Sequence, residues 1–479
     1  MAREASFGLM LPGSLPLWHL VVAALLSLVT SVEALQDPFY AAPVNLSSYF
    51  PGQVIRSRRF RPLFEPMLAS DLDHSYQIVF RSEDNFNRSI AASASIFVPK
   101  KRKQGVFCWS SFIDAVSPTC LPSHAYDGSA PLTLDAQYDA VDPSGIGTFL
   151  RNGDVAVSPD HEGPKADFSV GRLGGKVTLD SIRATLHAES MAAADAPVTM
   201  FGYSGGAQST VWAETLAESH APELNIVASS HGGTPLDLDG IFRTASGTAS
   251  SGILVAAFAS VLANHPEVQS WWERYGSERG KAALKKARQD NECLPQLVAD
   301  FAFFDTIGMM QSSNPLDREP MHTAISVESL IQSRVPYRIP APKWPRWIMH
   351  GELDTLVPVN ASKQYVHDQC ETSNGEANLR FTVFPFDLHP DTMAQGLPTA
   401  LVFLLDAMEG KFPEKAPCGS HLDTVNLFDP AVQDRLGIDI LDLMKRLNTH
   451  EKLHTLFPAK PRQHETKHVQ KVKRSSRPS

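Results

Sequence analysis

The hydrophobic positions of the chain gather into short β-rich runs separated by longer segments with helical spacing. The first two runs, 76–80 and 89–98, flank the polar stretch RSEDNFNR, which suits a hairpin turn, so an antiparallel start to a sheet is expected. Further short apolar runs follow at 106–109, 155–157, 198–201, 226–228, 347–349 and 379–384. Helical patterns come after several of them, as at 179–189 and 207–217. Strands that alternate with helices require parallel crossovers, so the fold class is α/β.

Between Thr234 and Pro340 the alternation stops. Apolar residues there recur at spacings of three and four, which predicts an inserted helical module over 234–340. Within it, 253–263 is apolar almost all round, the mark of a buried helix or of a surface that meets an apolar ligand. The pattern weakens again after Cys418, and 451–479 holds eight Lys or Arg against two Glu, as solvated tails do. The chain thus divides into an N-terminal segment at 1–34, a core at 35–233 and 341–420 interrupted by the helical module, and a C-terminal extension at 421–479.

The N-terminal segment carries Arg3, an apolar run at 15–29 broken only by Pro16, His19 and Ser27, and then Val32-Glu33-Ala34 where a signal peptidase would cut. It is expected to be a cleaved signal peptide. Its uninterrupted apolar part, 20–26, is well short of the ~20 residues of a membrane span, so an exported chain without stable membrane insertion follows. Five widely spaced cysteines, Cys108, Cys120, Cys293, Cys370 and Cys418, show no metal-ligand spacing and favour disulfides with one thiol left over. Asn45, Asn87 and Asn360 begin glycosylation sequons. The formal charge of −9 is spread thinly, with no basic-aromatic face, which argues against nucleic acid as a partner.

Chemistry concentrates at Gly202-Tyr203-Ser204-Gly205-Gly206. This is a G-x-S-x-G elbow with β-branched PVTMF before it and a good helix after it, the context that leaves a serine hydroxyl exposed at a strand end. A serine needs a base to take its proton and an acid to orient that base. Asp354 follows the run PRWIM, with Glu352 a rival in the same loop; His389 follows LRFTVF, with His367 and His421 as competitors. Order and strand ends favour Ser204, Asp354 and His389. His231, in SHGGTP, follows the nucleophile rather than preceding it as an oxyanion loop would, and is taken as structural. The SPDHEGP stretch at 158–164 lacks a partner pair at metal-ligand spacing and is taken as a loop that buttresses the site.

These segments, with SPDHEG before the elbow and CLPQLV after it, resemble the fungal secretory lipases of the Candida antarctica lipase A type, over roughly 37–420. The resemblance implies a secreted α/β-hydrolase with a mostly parallel central sheet and a helical lid over an acyl tunnel. Its triad maps onto Ser204, Asp354 and His389, and its oxyanion donors onto the Gly205 N–H and Asp114. Its disulfides map onto Cys120 with Cys293 and Cys370 with Cys418, leaving Cys108 unpaired. Beyond Ser420 the similarity ends.

The expected chemistry is acyl transfer without metal or organic cofactor. A cap lined by Ile253, Leu254, Val255, Phe258, Trp271, Trp272, Phe303 and Phe304 favours acylglycerols, unless those residues are the cap's own core. Related fungal enzymes also deacetylate metabolites such as trichothecenes, which makes a small-ester esterase the alternative. Retention of all three triad residues argues against a non-catalytic binding role.

Overall fold

The computed structural model describes residues 37–437 apart from 104, 131–140, 193–194, 291, 412–414, 423 and 427–428. The expected signal peptide at 1–34 and the basic stretch at 451–479 lie outside the described residues.

One sheet organises the chain. Its strands are β1 (Val54–Phe60), β2 (Leu72–Glu83), β3 (Ser89–Pro99), β4 (Val106–Ser110), β5 (Val155–Pro159), β6 (Val198–Tyr203), β7 (Ile226–Gly232), β8 (Arg346–Gly351), β9 (Leu379–Phe384) and β10 (Gly419–Ser420). Their spatial order is β1-β2-β3-β5-β4-β6-β7-β8-β9-β10. The pairs along β1, β2, β3 and β5 are antiparallel and all later neighbours are parallel. Alternation along each strand feeds two cores. Val106, Cys108, Val155, Val157, Val198 and Met200 face a cluster that includes the helices Gly171–Ala188 and Gly205–His220. Phe107, Trp109, Ala156, Phe201 and Tyr203 face another, with helices Asp142–Asn152 and His389–Met408. Burial on both faces is why these strands appear in the sequence as continuous apolar runs.

The differences from expectation have local causes. The hairpin turn is shorter than RSEDNFNR, because Arg81, Ser82 and Glu83 continue β2 against Ala91, Ile90 and Ser89. Asp84 then closes the turn by accepting the N–H groups of Phe86 and Arg88. β1, with the sequence VIRSRRF, escaped notice because an edge strand paired on one side tolerates charge. The helix expected at 179–189 begins earlier, at Gly171. Its glycines argue against helix in isolation, yet they let it lie directly on the neighbouring helix: a Cβ on Gly171 would stand 1.8 Å from the Trp212 indole, and one on Gly175 2.6 Å from the Trp212 carbonyl carbon.

Within 234–340 the helices Leu238–Ala245, Ser251–Asn264, Pro266–Tyr275, Glu278–Ala287, Leu294–Asp300 and Met321–Val327 share a core of their own, and 328–340 is loop. Ile113, Val116, Phe168 and Val357 of the sheet domain join that core, so the module is seated on the C-terminal ends of the parallel strands. Cys120 and Cys293 bond the module to the loop after β4, with Cα atoms 5.4 Å apart. Cys370 and Cys418 tie the helix Val359–Thr372 to the segment entering β10, and Cys108 is a buried thiol within β4. Part of the C-terminal extension is packed: Pro430–Leu436 is a helix whose Leu436 carbonyl accepts hydrogen bonds from Thr148 and Arg151. Among the described residues no helix is long and apolar enough to cross a membrane.

The Cys120–Cys293 bond closes a loop of 173 residues, and on chain entropy its double Ser variant should lose about 5 kcal/mol. Removing Cys370–Cys418, whose separation is 48, should cost about 1 kcal/mol less. Denaturant melts of both variants beside the parent protein check the order.

Candidate active site

The site grows out of the turn between β6 and the helix Gly205–His220. Ser204 occupies that turn at φ 53° and ψ −123°, a left-handed backbone that a serine adopts only when its surroundings enforce it. Its N–H donates to the Gly232 carbonyl of β7 at 3.0 Å. The chain can double back this tightly because side chains are missing around it. A Cβ on Gly206 would stand 2.0 Å from the Ser110 carbonyl oxygen, and one on Gly202 would stand 2.2 Å from the Gly206 oxygen.

The structure brings Ser204, His389 and Asp354 together from the ends of β6, β9 and β8. Asp354 accepts from His389 Nδ1 at 2.6 Å through Oδ2, and from the N–H groups of Leu356 and Val357 at 2.9 and 2.8 Å through Oδ1. With Nδ1 donating, His389 presents a bare Nε2, and the Ser204 hydroxyl donates to it at 2.8 Å. Burial would raise the Asp354 pKa, but the charge of His389 and hydrogen bonds from His350 and His389 outweigh it and hold the carboxyl well below the usual range. Ser204 and Asp354 are both nearly buried, at 7% and 8% exposure, so these contacts are shielded from bulk water. The rivals lie elsewhere: Glu352 pairs with Lys363 at 2.8 Å, His367 is exposed beside Asp368, and His421 donates to the Pro417 carbonyl.

Asp114 is also at the site. It is buried with φ 50°, and its Oδ1 packs so closely on Gly205 that a Cβ there would approach within 2.0 Å. The stretch Ser158 to Pro164 packs against the same region. His161 donates from Nε2 to the Ser111 carbonyl at 2.7 Å, while Asp160 accepts from Ser93 and Ser123, so the loop carrying Asp114 is braced from beneath. Burial, then the charge of Asp114, pushes the Glu162 carboxyl well above its ordinary value. His231 is fully buried, with Nδ1 2.7 Å from Thr234 Oγ1, and burial lowers it to about 3.

Above Ser204 lies a cavity of about 30 Å³ lined by Phe168, Leu238, Ile241, Phe242, Ile253 and Leu254, room for about two waters. Of the eight cap residues picked from the sequence, Ile253 and Leu254 line this cavity. Val255, Phe258, Trp272 and Phe304 are buried in the module's own core, Trp271 packs against it, and Phe303 is 72% exposed. The lining from the helix Leu238–Ala245 went unrecognised, as did two supports of the site. The Tyr203 hydroxyl donates to the His389 carbonyl, with its ring 5.1 Å from the imidazole, and His350 stands behind Asp354. HGELD shows a histidine four residues ahead of Asp354, but only the fold reveals that it is buried.

A secretory lipase family profile matches residues 128–415. Lipase A of Moesziomyces aphidis is 33% identical over 422 residues, covering 86% of this chain and 88% of that protein. The chain belongs to the secretory lipase family. A secreted triacylglycerol lipase of Malassezia furfur is 29% identical over 423 residues, or 85% of this chain and 82% of that one. Among solved structures, Candida antarctica lipase A in its closed state superposes with a TM-score of 0.80 at 31% identity, over 87% of this chain and 96% of the other. A rice cell wall degrading esterase of Xanthomonas oryzae, 16% identical over 70% and 92% of the two chains, shares the fold with a TM-score of 0.53. This member of the family is therefore an α/β-hydrolase and a carboxylic ester hydrolase.

His161 yields a test of the brace. Burial lowers it from 6.5 to about 4 despite the bond to the Ser111 carbonyl, so between those values the unfolded chain binds the extra proton. Its contribution to stability is complete above pH 6.5 and is lost as pH falls towards and through 4, a change of up to about 3 kcal/mol. His161→Gln, whose amide replaces the donor without titrating, should flatten the dependence of stability on pH across that window in urea melts.

Proposed function

We propose that the chain is a secreted lipase that hydrolyses acylglycerols, with Ser204 as nucleophile, His389 as general base and Asp354 as its orienting partner. The observation that carries this reading is the chain of contacts from Ser204 Oγ to His389 Nε2 at 2.8 Å and from His389 Nδ1 to Asp354 at 2.6 Å, beside an apolar cavity. As Ser204 Oγ bonds to the ester carbonyl carbon, its proton passes to His389, and the ionised Asp354 offsets the imidazolium charge. The Gly205 N–H, at the positive end of its helix, and the Asp114 loop stabilise the oxyanion, a contribution of about 3–4 kcal/mol per donor. Collapse of the intermediate expels the alcohol with the proton from His389. Water, deprotonated by the same histidine, then cleaves the acyl-enzyme.

The helical module at 234–340 serves as the lid in this reading, and 1–34 directs export. Export agrees with the two disulfides and with the exposure of Asn45, Asn87 and Asn360, the proposed glycosylation sites. The cavity of about 30 Å³ favours a second reading, an esterase that removes short acyl groups such as acetyl from a secondary metabolite.

A fluorophosphonate probe should label the wild type and not Ser204→Ala. Turnover should fall about 10⁶-fold in Ser204→Ala and about 10⁴-fold in Asp354→Asn. Hydrolysis of emulsified tributyrin and long-chain triacylglycerol supports the lipase. Turnover confined to an acetylated terpenoid supports the esterase, and folded protein that neither labels nor turns over ester rules out both.

A further inference from the structure

His350, the penultimate residue of β8, has no exposed surface and lies four residues before Asp354. Its Nε2 lies 2.9 Å from the Val357 carbonyl oxygen and 3.4 Å from Asp354 Oδ2, while its Nδ1 lies 2.8 Å from Ser362 Oγ. A carbonyl oxygen can only accept, so Nε2 carries a proton and shares it between Val357 and Asp354. In the neutral ring Nδ1 is then bare and accepts the hydroxyl proton of Ser362, itself fully buried on the helix Val359–Thr372. Val357 returns the link through its N–H to Asp354 Oδ1 at 2.8 Å. His350, Val357 and Asp354 therefore close a ring of hydrogen bonds that grips both carboxylate oxygens, and Asp354 Oδ2 lies between two imidazoles. Two further ionisable groups stand near: Tyr203, whose phenol is held protonated by burial and by the charge of Asp354, and His231, kept neutral by burial.

We propose that His350 is a positioning residue for ester hydrolysis: through its Nε2–H and the Val357 loop it fixes the carboxylate of Asp354 in the orientation that receives His389 Nδ1. The proposal rests on the Ser204–His389–Asp354 reading. Without this donor the Val357 carbonyl is left unpaired in the interior, and the loop gains a reason to shift. A displacement of about 1 Å at a group that orients the base costs on the order of 100-fold in rate.

The test compares His350→Asn, too short to supply the Nε2 donor, with His350→Gln, whose amide reaches that position. Each is assayed on soluble p-nitrophenyl butyrate with active sites counted by fluorophosphonate. His350→Asn should lower kcat per titrated site about 100-fold with KM within about twofold. The acid limb of its kcat profile should move to lower pH, because a carboxylate turned away from Nδ1 stabilises the imidazolium less. His350→Gln should restore about tenfold or more of that loss. Wild-type kcat and pH profile per titrated site in His350→Asn, with only a lower Tm, would overturn the proposal, as would failure of His350→Gln to recover any rate. If His350→Asn does not fold, Ser362→Ala takes its place under the same criteria, since it frees Nδ1 and releases the tautomer; the expected loss is about threefold. Absence of labelling and turnover in the wild type would instead reject the Ser204 reading and is recognised separately.

Discussion

The fold is built around one tight reversal, in which β6 gives way to a serine with positive φ and the next residue begins a helix. That reversal needs a strand buried on both faces to aim it, a helix packed closely enough to follow it, and glycine where Ser110 and the Gly206 carbonyl come too near for any side chain. The parallel arrangement of β4, β6, β8 and β9 then delivers Asp114, Ser204, Asp354 and His389 to the same edge of the sheet. Their mutual distances follow from strand register rather than from loop flexibility, which is how a chain separates three cooperating groups by as many as 185 positions and still holds them in hydrogen-bond contact.

Much of this was legible in the sequence because burial on two faces leaves an unmistakable apolar run, and because strand-end loops have a fixed order. Ser204, Asp354 and His389, which the structure brings into hydrogen-bond contact, were singled out that way. What escaped was set by partners that a single sequence does not display. The glycines at 171 and 175 look like helix breakers until Trp212 is seen against them. The arginines of β1 look like a loop until the strand is seen at the edge of the sheet. Val255, Phe258, Trp272 and Phe304 share the composition of a ligand wall, yet they face one another inside the helical module, and Phe303 faces solvent. Composition distinguishes apolar from polar; it does not distinguish a cavity lining from the core behind it.

The helical module and the sheet domain are held by different physics. The sheet domain owes its order to strand ladders and two large cores, whereas the module rests on a separate core that reaches the sheet domain through Ile113, Val116, Phe168 and Val357. Buried apolar contact of this kind is strong in sum but non-directional, so it tolerates sliding and tilting better than a ladder of hydrogen bonds does.

The Cys120–Cys293 bond limits that freedom. It joins the module to a point six residues past Asp114, with Cα atoms 5.4 Å apart, and a disulfide keeps such a pair within about 7 Å. Cys293 therefore stays beside the loop that carries Asp114, while the module's other helices meet the sheet domain through apolar contact. The bond thus ties the module covalently to the Asp114 side of the cavity over Ser204, whose Ile253 and Leu254 side is held by apolar packing.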